Sequence, residues 1–293
     1  MIPDGRALTS LQARMQAAAR SFRLPLRNRP WRGLHGNWTG SGMGSSIDFQ
    51  DHRPYLPGDD PRYIDWQAYA RSGHYTMKLY REEVSPGVDL ALDISASMFL
   101  NAAKTERTLE LFYFAAASAI RVRGALRCYL VAGEAIHPLA AEAVFSRERF
   151  VVALESRPSQ RAEVPPSLAR VPWRPGSLRL WISDLLVPGE PALQPLATGK
   201  GRGVVLAPWC LAEEVPDWEG NLDLVDCETA FRRRQRVDTA LLDRYRDAYG
   251  RHFHLWREHA RRTGVAFARV PSELGFLEAL SQEALPNGAV EPG

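Results

Sequence analysis

From residue 86 onward the chain alternates short apolar runs with helical patterns, and that alternation limits the fold more than any other feature. Pro86-Gly87 marks the change. Residues 88–92, 126–132, 178–182 and 204–209 are apolar runs of strand length, 222–225 is expected to add an edge strand, and 265–270 closes the series. Helical patterns fall between and after them, at 104–122, 150–154, 238–262 and 273–280. The pattern at 104–122 is apolar on most faces, at Leu109, Phe112, Ala116, Ala119 and Ile120. Such a helix is stable only when packed inside a larger fold. At 238–262, Leu242, Tyr245, Tyr249, Phe253, Trp256 and Ala260 recur at steps of three and four, which predicts one core-facing stripe. Apolar strands alternating with helices predict an α/β fold, a doubly wound and mainly parallel sheet covered on both faces. Ligands of such sheets gather at the carboxyl ends of the strands, where strand order reverses.

The residues before 86 read differently. A helical pattern at Leu8, Leu11, Met15, Ala18 and Ala19 is stopped by Pro25 and Pro30. Residues 33–46 are rich in glycine and serine and read as a loop. Short aromatic-rich segments follow around Phe49, Tyr55, Trp66 and Tyr69 and at 75–80, separated by turn signals such as Pro57-Gly58-Asp59-Asp60-Pro61. The expected organisation is an N-terminal helical extension (1–32), a strand-containing segment (33–84), an α/β domain (85–285) and a tail (286–293).

Composition excludes several classes. With 45% hydrophobic and 24% charged residues the chain has an ordinary globular make-up. Its 37 basic and 34 acidic residues leave a net charge of only +3, which argues against a dedicated nucleic-acid binder. The run Arg232-Arg233-Arg234-Gln235-Arg236 reads as a solvated loop before the long helix. Cys128, Cys210 and Cys227 form no Cys-x-x-Cys pair, so neither a disulfide framework nor a thiolate zinc site is expected. The longest strongly apolar stretch, 111–120, is half of the ~20 residues a bilayer requires. The first residues carry no signal-peptide core. Together these predict a cytoplasmic protein without a transmembrane segment. Only Lys78, Lys104 and Lys200 are lysines in this arginine-rich chain.

Two strand ends carry oxygen-rich side chains. The first expected strand runs into Asp93-Ile94-Ser95-Ala96-Ser97, and the strand at 178–182 into Ser183-Asp184. One carboxylate and two hydroxyls on a loop, with a second carboxylate from another strand end, form a hard-oxygen donor set suited to Mg²⁺ or Mn²⁺. Asp93 alone would read as a helix cap; the company of Ser95, Ser97 and Asp184 favours a site. No Gly-x-Ser-x-Gly, Gly-x-x-x-x-Gly-Lys or Gly-x-Gly-x-x-Gly motif is in place to do enzyme chemistry, and no catalytic residue is predicted. Asp59 and Asp60 read as turn residues. Arg53, Arg62, Asp65 and Arg71 alternate in sign around them, as in a structural ion-pair network pinning this segment to the main domain. His252, His254 and His259 lack the His-Glu-x-x-His spacing and read as surface or packing residues.

Asp93, Ser95, Ser97 and Ser183-Asp184 resemble the metal-ion-dependent adhesion site of von Willebrand factor A domains. The preceding stretch narrows the resemblance. Ile47-Asp48-Phe49, Arg53-Pro54-Tyr55, Pro57-Gly58-Asp59-Asp60-Pro61-Arg62, Ile64-Asp65-Trp66 and Ala70-Arg71, leading through Lys78 and Glu82-Glu83, are similar to the bacterial domain-of-unknown-function family fifty-eight (DUF58). The likeness is dense over 40–97 and is carried elsewhere by the strand–helix alternation. It implies a von Willebrand factor A-like fold and genetic company with MoxR-type AAA+ ATPases. It further implies an interaction or adaptor role in assembly or stress responses. One departure stands out: the adhesion-site pattern uses a threonine, and none occurs between Ser118 and Ser183, where Ser159 and Glu163 lie nearest the expected loop. The expected function is non-catalytic protein binding. Ser95 and Ser97 would hold the ion with Asp93 and Asp184 behind them, and a partner's aspartate or glutamate would complete the shell. The partner implied is a MoxR-type ATPase or another von Willebrand factor A-like protein. The alternatives are a metal-dependent phosphoester hydrolase and a scaffold with a vestigial ion site.

Overall fold

The computed structural model describes residues 5–26, 47–82, 87–146, 150–152, 166–187 and 189–293. They fall into two compact units, 1–28 with 86–293 and 29–85. In chain order the larger unit begins with helix α1 (Gly5–Ser21) and the short strand β1 (Phe22–Arg23). The smaller unit holds β2 (Ile47–Pro54), α2 (Trp66–Ser72) and β3 (Thr76–Glu82). The larger unit resumes with β4 (Gly87–Asp93), α3 (Ala102–Arg121), β5 (Ala125–Ala132), β6 (Ala135–Leu139), β7 (Leu178–Ile182) and β8 (Arg202–Trp209). It continues with β9 (Gly220–Val225), β10 (Arg232–Val237), α4 (Thr239–Thr263), β11 (Ala266–Pro271), α5 (Phe276–Gln282) and β12 (Glu291–Pro292).

Six strands form the central sheet in the order β11-β8-β7-β4-β5-β6. All neighbours are parallel except β5 and β6, which are antiparallel across a tight turn. The fold is therefore mixed α/β with a mostly parallel sheet. Alternation along each strand divides two cores. Val88, Leu90, Leu92, Leu178, Leu180, Ile182, Val204 and Leu206 face one way, onto α1, α3 and α5. Ala91, Trp181, Val205, Ala207 and Phe267 face the other way, onto Tyr249, Phe253, Trp256 and Ala260 of α4. Helix α3 begins where Asn101 caps it, its side chain accepting from the Lys104 amide at 2.8 Å. Leu109, Leu111, Phe112 and Phe114 in it are completely buried, each stabilising the fold by about 1.5–3 kcal/mol. Helix α4 runs from the Asp238 cap to Gly264, whose φ of 70° lets the chain reverse into β11.

Several boundaries differ from the sequence expectation, for tertiary reasons. The N-terminal helix is no extension, because Leu8, Leu11 and Met15 lie buried in the main core. The last residues are no loose tail: Ala289 and Val290 are buried, and β12 pairs antiparallel with β1. Residues 222–225 do not edge the main sheet; they pair with β10 in a separate hairpin. The arginine run expected as a loop is that second strand, solvated but regular. Antiparallel pairing across six residue pairs fixes it despite its charge. The expected loop at 33–46, the remainder of the short helix at 150–154, Ser159 and Glu163 lie outside the described residues.

In the smaller unit β2 and β3 pair antiparallel. Ion pairs join residues within the segment. Arg53 donates two 2.6 Å bonds to Asp59, and Arg62 donates to Asp60 at 2.6 Å. Asp65 caps the unforeseen helix α2 by accepting from the Gln67 and Ala68 amides at 3.0 Å, and its other oxygen meets His52 Nε2 at 2.8 Å. These bonds hold its carboxyl down at about 2. Arg71 donates to the Gln67 carbonyl rather than to a carboxylate.

Candidate functional site at the strand ends

Strands β4 and β7 are neighbours, with Leu92 opposite Ile182. The chain leaves β4 toward β5 on one side and returns to β7 on the other, so strand order reverses between them. In an open α/β sheet this is where a crevice opens beyond the carboxyl ends. Asp93 ends β4 and Asp184 lies just past β7, so the two carboxylates predicted to share a site meet at that point.

Asp93 is completely buried. One oxygen accepts from the Ser95 amide at 2.9 Å and the other from Ser183 Oγ at 2.7 Å. Burial, reinforced by the charge of Asp184, outweighs these bonds and pushes its carboxyl up to about 7. Ser95 Oγ and Ser97 Oγ lie 3.2 Å apart on the following turn.

Asp184 sits on strained backbone. The next residue, Leu185, has φ of 61°, a left-handed conformation costly for a leucine, and its side chain is fully buried. One Asp184 oxygen accepts from the Leu186 amide at 3.1 Å and the other from Lys104 Nζ at 2.7 Å. Lys104 projects from the first turn of α3 with 0% exposure, and its ammonium also meets Glu213. Burial lowers the pKa of that ammonium, but the two carboxylates more than offset the effect and leave it raised. Glu213 is held in turn by the Cys210 amide, which donates to its other oxygen at 2.9 Å.

A fourth acidic residue arrives from the hairpin. The Glu228 carboxylate accepts from the Ala96 amide at 3.1 Å and from the Ser97 amide at 2.8 Å. Its presentation is local. Asp226 Oδ1 accepts from the amides of Glu228 and Thr229 at 2.7 and 3.0 Å, folding residues 226–230 into a tight tip between β9 and β10.

The structure thus places Asp93, Ser95, Ser97 and Asp184 at the carboxyl ends of β4 and β7. Sequence reasoning missed Lys104, Glu213 and Glu228. Lys104 had a signal: an arginine-rich chain keeps a compact ammonium at the head of an apolar helix, just after the serine loop. Glu228 had none, because it reaches the loop only through the hairpin fold. A divalent ion fits this donor set only in part. The two serine hydroxyls are close enough to share an ion, but both carboxylates are engaged and Lys104 already supplies a cation. Among the described residues no group of three His, Cys, Asp or Glu is placed to hold a metal. Ser95 Oγ is bonded to Ser97 Oγ and its side chain also meets the Asp93 carboxyl.

Comparison with known proteins places this α/β chain in a family. The family model described as "Protein of unknown function DUF58" matches residues 51–258, and the chain belongs to that family. Among curated proteins it is similar to uncharacterized proteins of Mycobacterium bovis and Mycobacterium tuberculosis. It is 28% identical to each over 252 residues, which is 82% of this chain and 79% of theirs. Among solved structures, a conserved hypothetical protein BatB from Bacteroides thetaiotaomicron matches with a TM-score of 0.38 at 14% identity. That match covers 69% of this chain and 98% of the other. An aerotolerance-related membrane protein from Bacteroides fragilis matches with a TM-score of 0.34, also at 14% identity, over 68% of this chain and 98% of the other. Among the described residues of this chain, no helix is long and apolar enough to cross a membrane.

Proposed function

We propose that this protein is a non-catalytic interaction component with a von Willebrand factor A-like main unit, working as an adaptor for a MoxR-type AAA+ ATPase or another A-like protein. Its loop 93–97, backed by Asp184, receives an acidic side chain from the partner. The observation that carries this reading is Glu228. A carboxylate from a distant segment already rests on the Ala96 and Ser97 amides, so the loop offers two convergent donors to that chemical group. Capture of the purified ATPase tests it. The wild type should bind it, and Asp93→Ala, still folded by circular dichroism, should not; equal capture by both removes the reading. Glu228→Ala empties the seat at a cost of about 1 kcal/mol in stability. It should strengthen capture, and it should speed hydrogen exchange at the Ala96 and Ser97 amides.

A second reading adds a divalent ion to the same seat. The 3.2 Å separation of the serine hydroxyls favours it, because two neighbouring ligands of a small octahedral ion come this close. Ser95 and Ser97 would hold Mg²⁺ or Mn²⁺, with Asp93 and Asp184 behind, and the ion would supply positive charge to the incoming carboxylate. Capture in Mg²⁺ that disappears in EDTA selects this version. Capture indifferent to EDTA leaves Lys104 as the resident cation.

A further inference from the structure

The hairpin that carries Glu228 also forms one wall of a groove, and we propose that this groove binds an extended acidic segment of a partner protein through a large apolar side chain. The inference is independent of the function proposed for the strand-end site. Opposite residues of β9 and β10 share a face, which sorts the arginine-rich strand into two sides. Arg233, Gln235 and Val237 lie with Leu224 and Leu222 on one face, and Arg232, Arg234 and Arg236 lie with Val225, Asp223 and Asn221 on the other. Leu224, Arg233, Gln235 and Val237 line a cavity of about 530 Å³ against the start of α4. That volume lies within the usual range for a ligand site.

The lining has an apolar floor and a basic rim. Trp218 and Tyr245 stand with ring centroids 5.9 Å apart, and Leu241, Leu242 and Val237 extend the apolar surface. Trp218 is 40% exposed, an unusually open position for so large an apolar ring. Tyr245 is fixed in place because its hydroxyl donates to the Glu213 carbonyl. Arg233 and Arg244 complete the lining, which includes no carboxylate. Neither arginine has an ion-pair partner among the described residues, whereas Arg234 on the opposite face pairs with Asp223 and Arg246 on the same helix pairs with Asp243. Unpaired guanidiniums beside an exposed tryptophan make a complement for an acidic segment with one apolar anchor. Their planar forks bind carboxylates in pairs.

Fluorescence polarisation on the full chain tests this. The probe is a labelled nonapeptide of glutamates around a central phenylalanine. Binding should weaken roughly tenfold in Arg233→Glu and again in Arg244→Glu. It should also weaken when serine replaces the peptide's phenylalanine, and in Trp218→Ala. Arg232→Glu and Arg236→Glu, on the opposite face, should leave it unchanged and also report that the hairpin has folded. Three results overturn the proposal: equal binding of a lysine version of the peptide, loss of binding that follows the opposite-face arginines, or a single-stranded oligonucleotide binding more tightly than the acidic peptide.

Discussion

Strand β4 carries a buried aspartate near each end, and the two are held in opposite ways. Both are completely buried and, being an even number of residues apart, point to the same face of the sheet. Asp89, at the amino end, accepts from the Arg174 amide and Nε at 2.7 Å and from Ser177 Oγ at 2.8 Å. Its charge is matched by a guanidinium, and the contact ties the segment before β7 to the sheet. Asp93, at the carboxyl end, is bonded to serine hydroxyls and an amide and faces a second carboxylate. Its neighbour Asp184 takes the nearest cation, Lys104. One end of the strand is neutralised and closed, while the other keeps acidic groups close together behind a loop that presents donors outward. That difference separates a carboxylate matched by a cation from one whose burial leaves its carboxyl raised.

Removing the cation that keeps the two ends distinct should have the largest effect. Lys104→Met leaves Asp184 and Glu213 buried without a counter-charge, and a loss toward the upper end of about 3–5 kcal/mol is expected from urea denaturation. Asp89→Ala takes the counter-charge from the Arg174 guanidinium, which keeps carbonyl partners. The same measurement should show a loss nearer the lower end of about 3–5 kcal/mol, because the Arg174 side chain is 21% exposed and water relieves it. A loss below about 1 kcal/mol would erase the contrast drawn here.

Asp93→Asn gives the most discriminating effect, because it depends on pH. With the folded carboxyl at about 7 and the unfolded one near 3.8, the native state holds a proton that the unfolded chain has released between these values. Stability from this group is therefore full below pH 4, falls as pH rises toward 7 and is flat above. The difference between wild type and Asp93→Asn should follow that curve. A difference that does not vary with pH would show that the Asp93 carboxyl is not raised in the folded state.

Much of this was legible in the sequence. The strands at 88–92 and 178–182 appear within one residue of their expected ends, because a parallel strand buried on both faces must be apolar throughout. Asp93 and Asp184 were paired by their place after such strands. The hairpin escaped because Arg232 to Arg236 has no apolar alternation for the period to show; cross-strand pairing alone makes it a strand. Helix α2 escaped because it is short and aromatic, and its cap Asp65 looked like one more charge in an alternating run.

The sequence by itself determined the class of fold, the strand ends and the identity of the oxygen donors, since burial on two faces and the loop after a strand are local demands on composition. Only the tertiary structure decided which charges meet. Lys104, Asp184 and Glu213 come from three separate elements, and Glu228 reaches Ala96 and Ser97 from the tip of a distant hairpin. Electrostatic energy depends on distance in space, and chain separation carries no record of it.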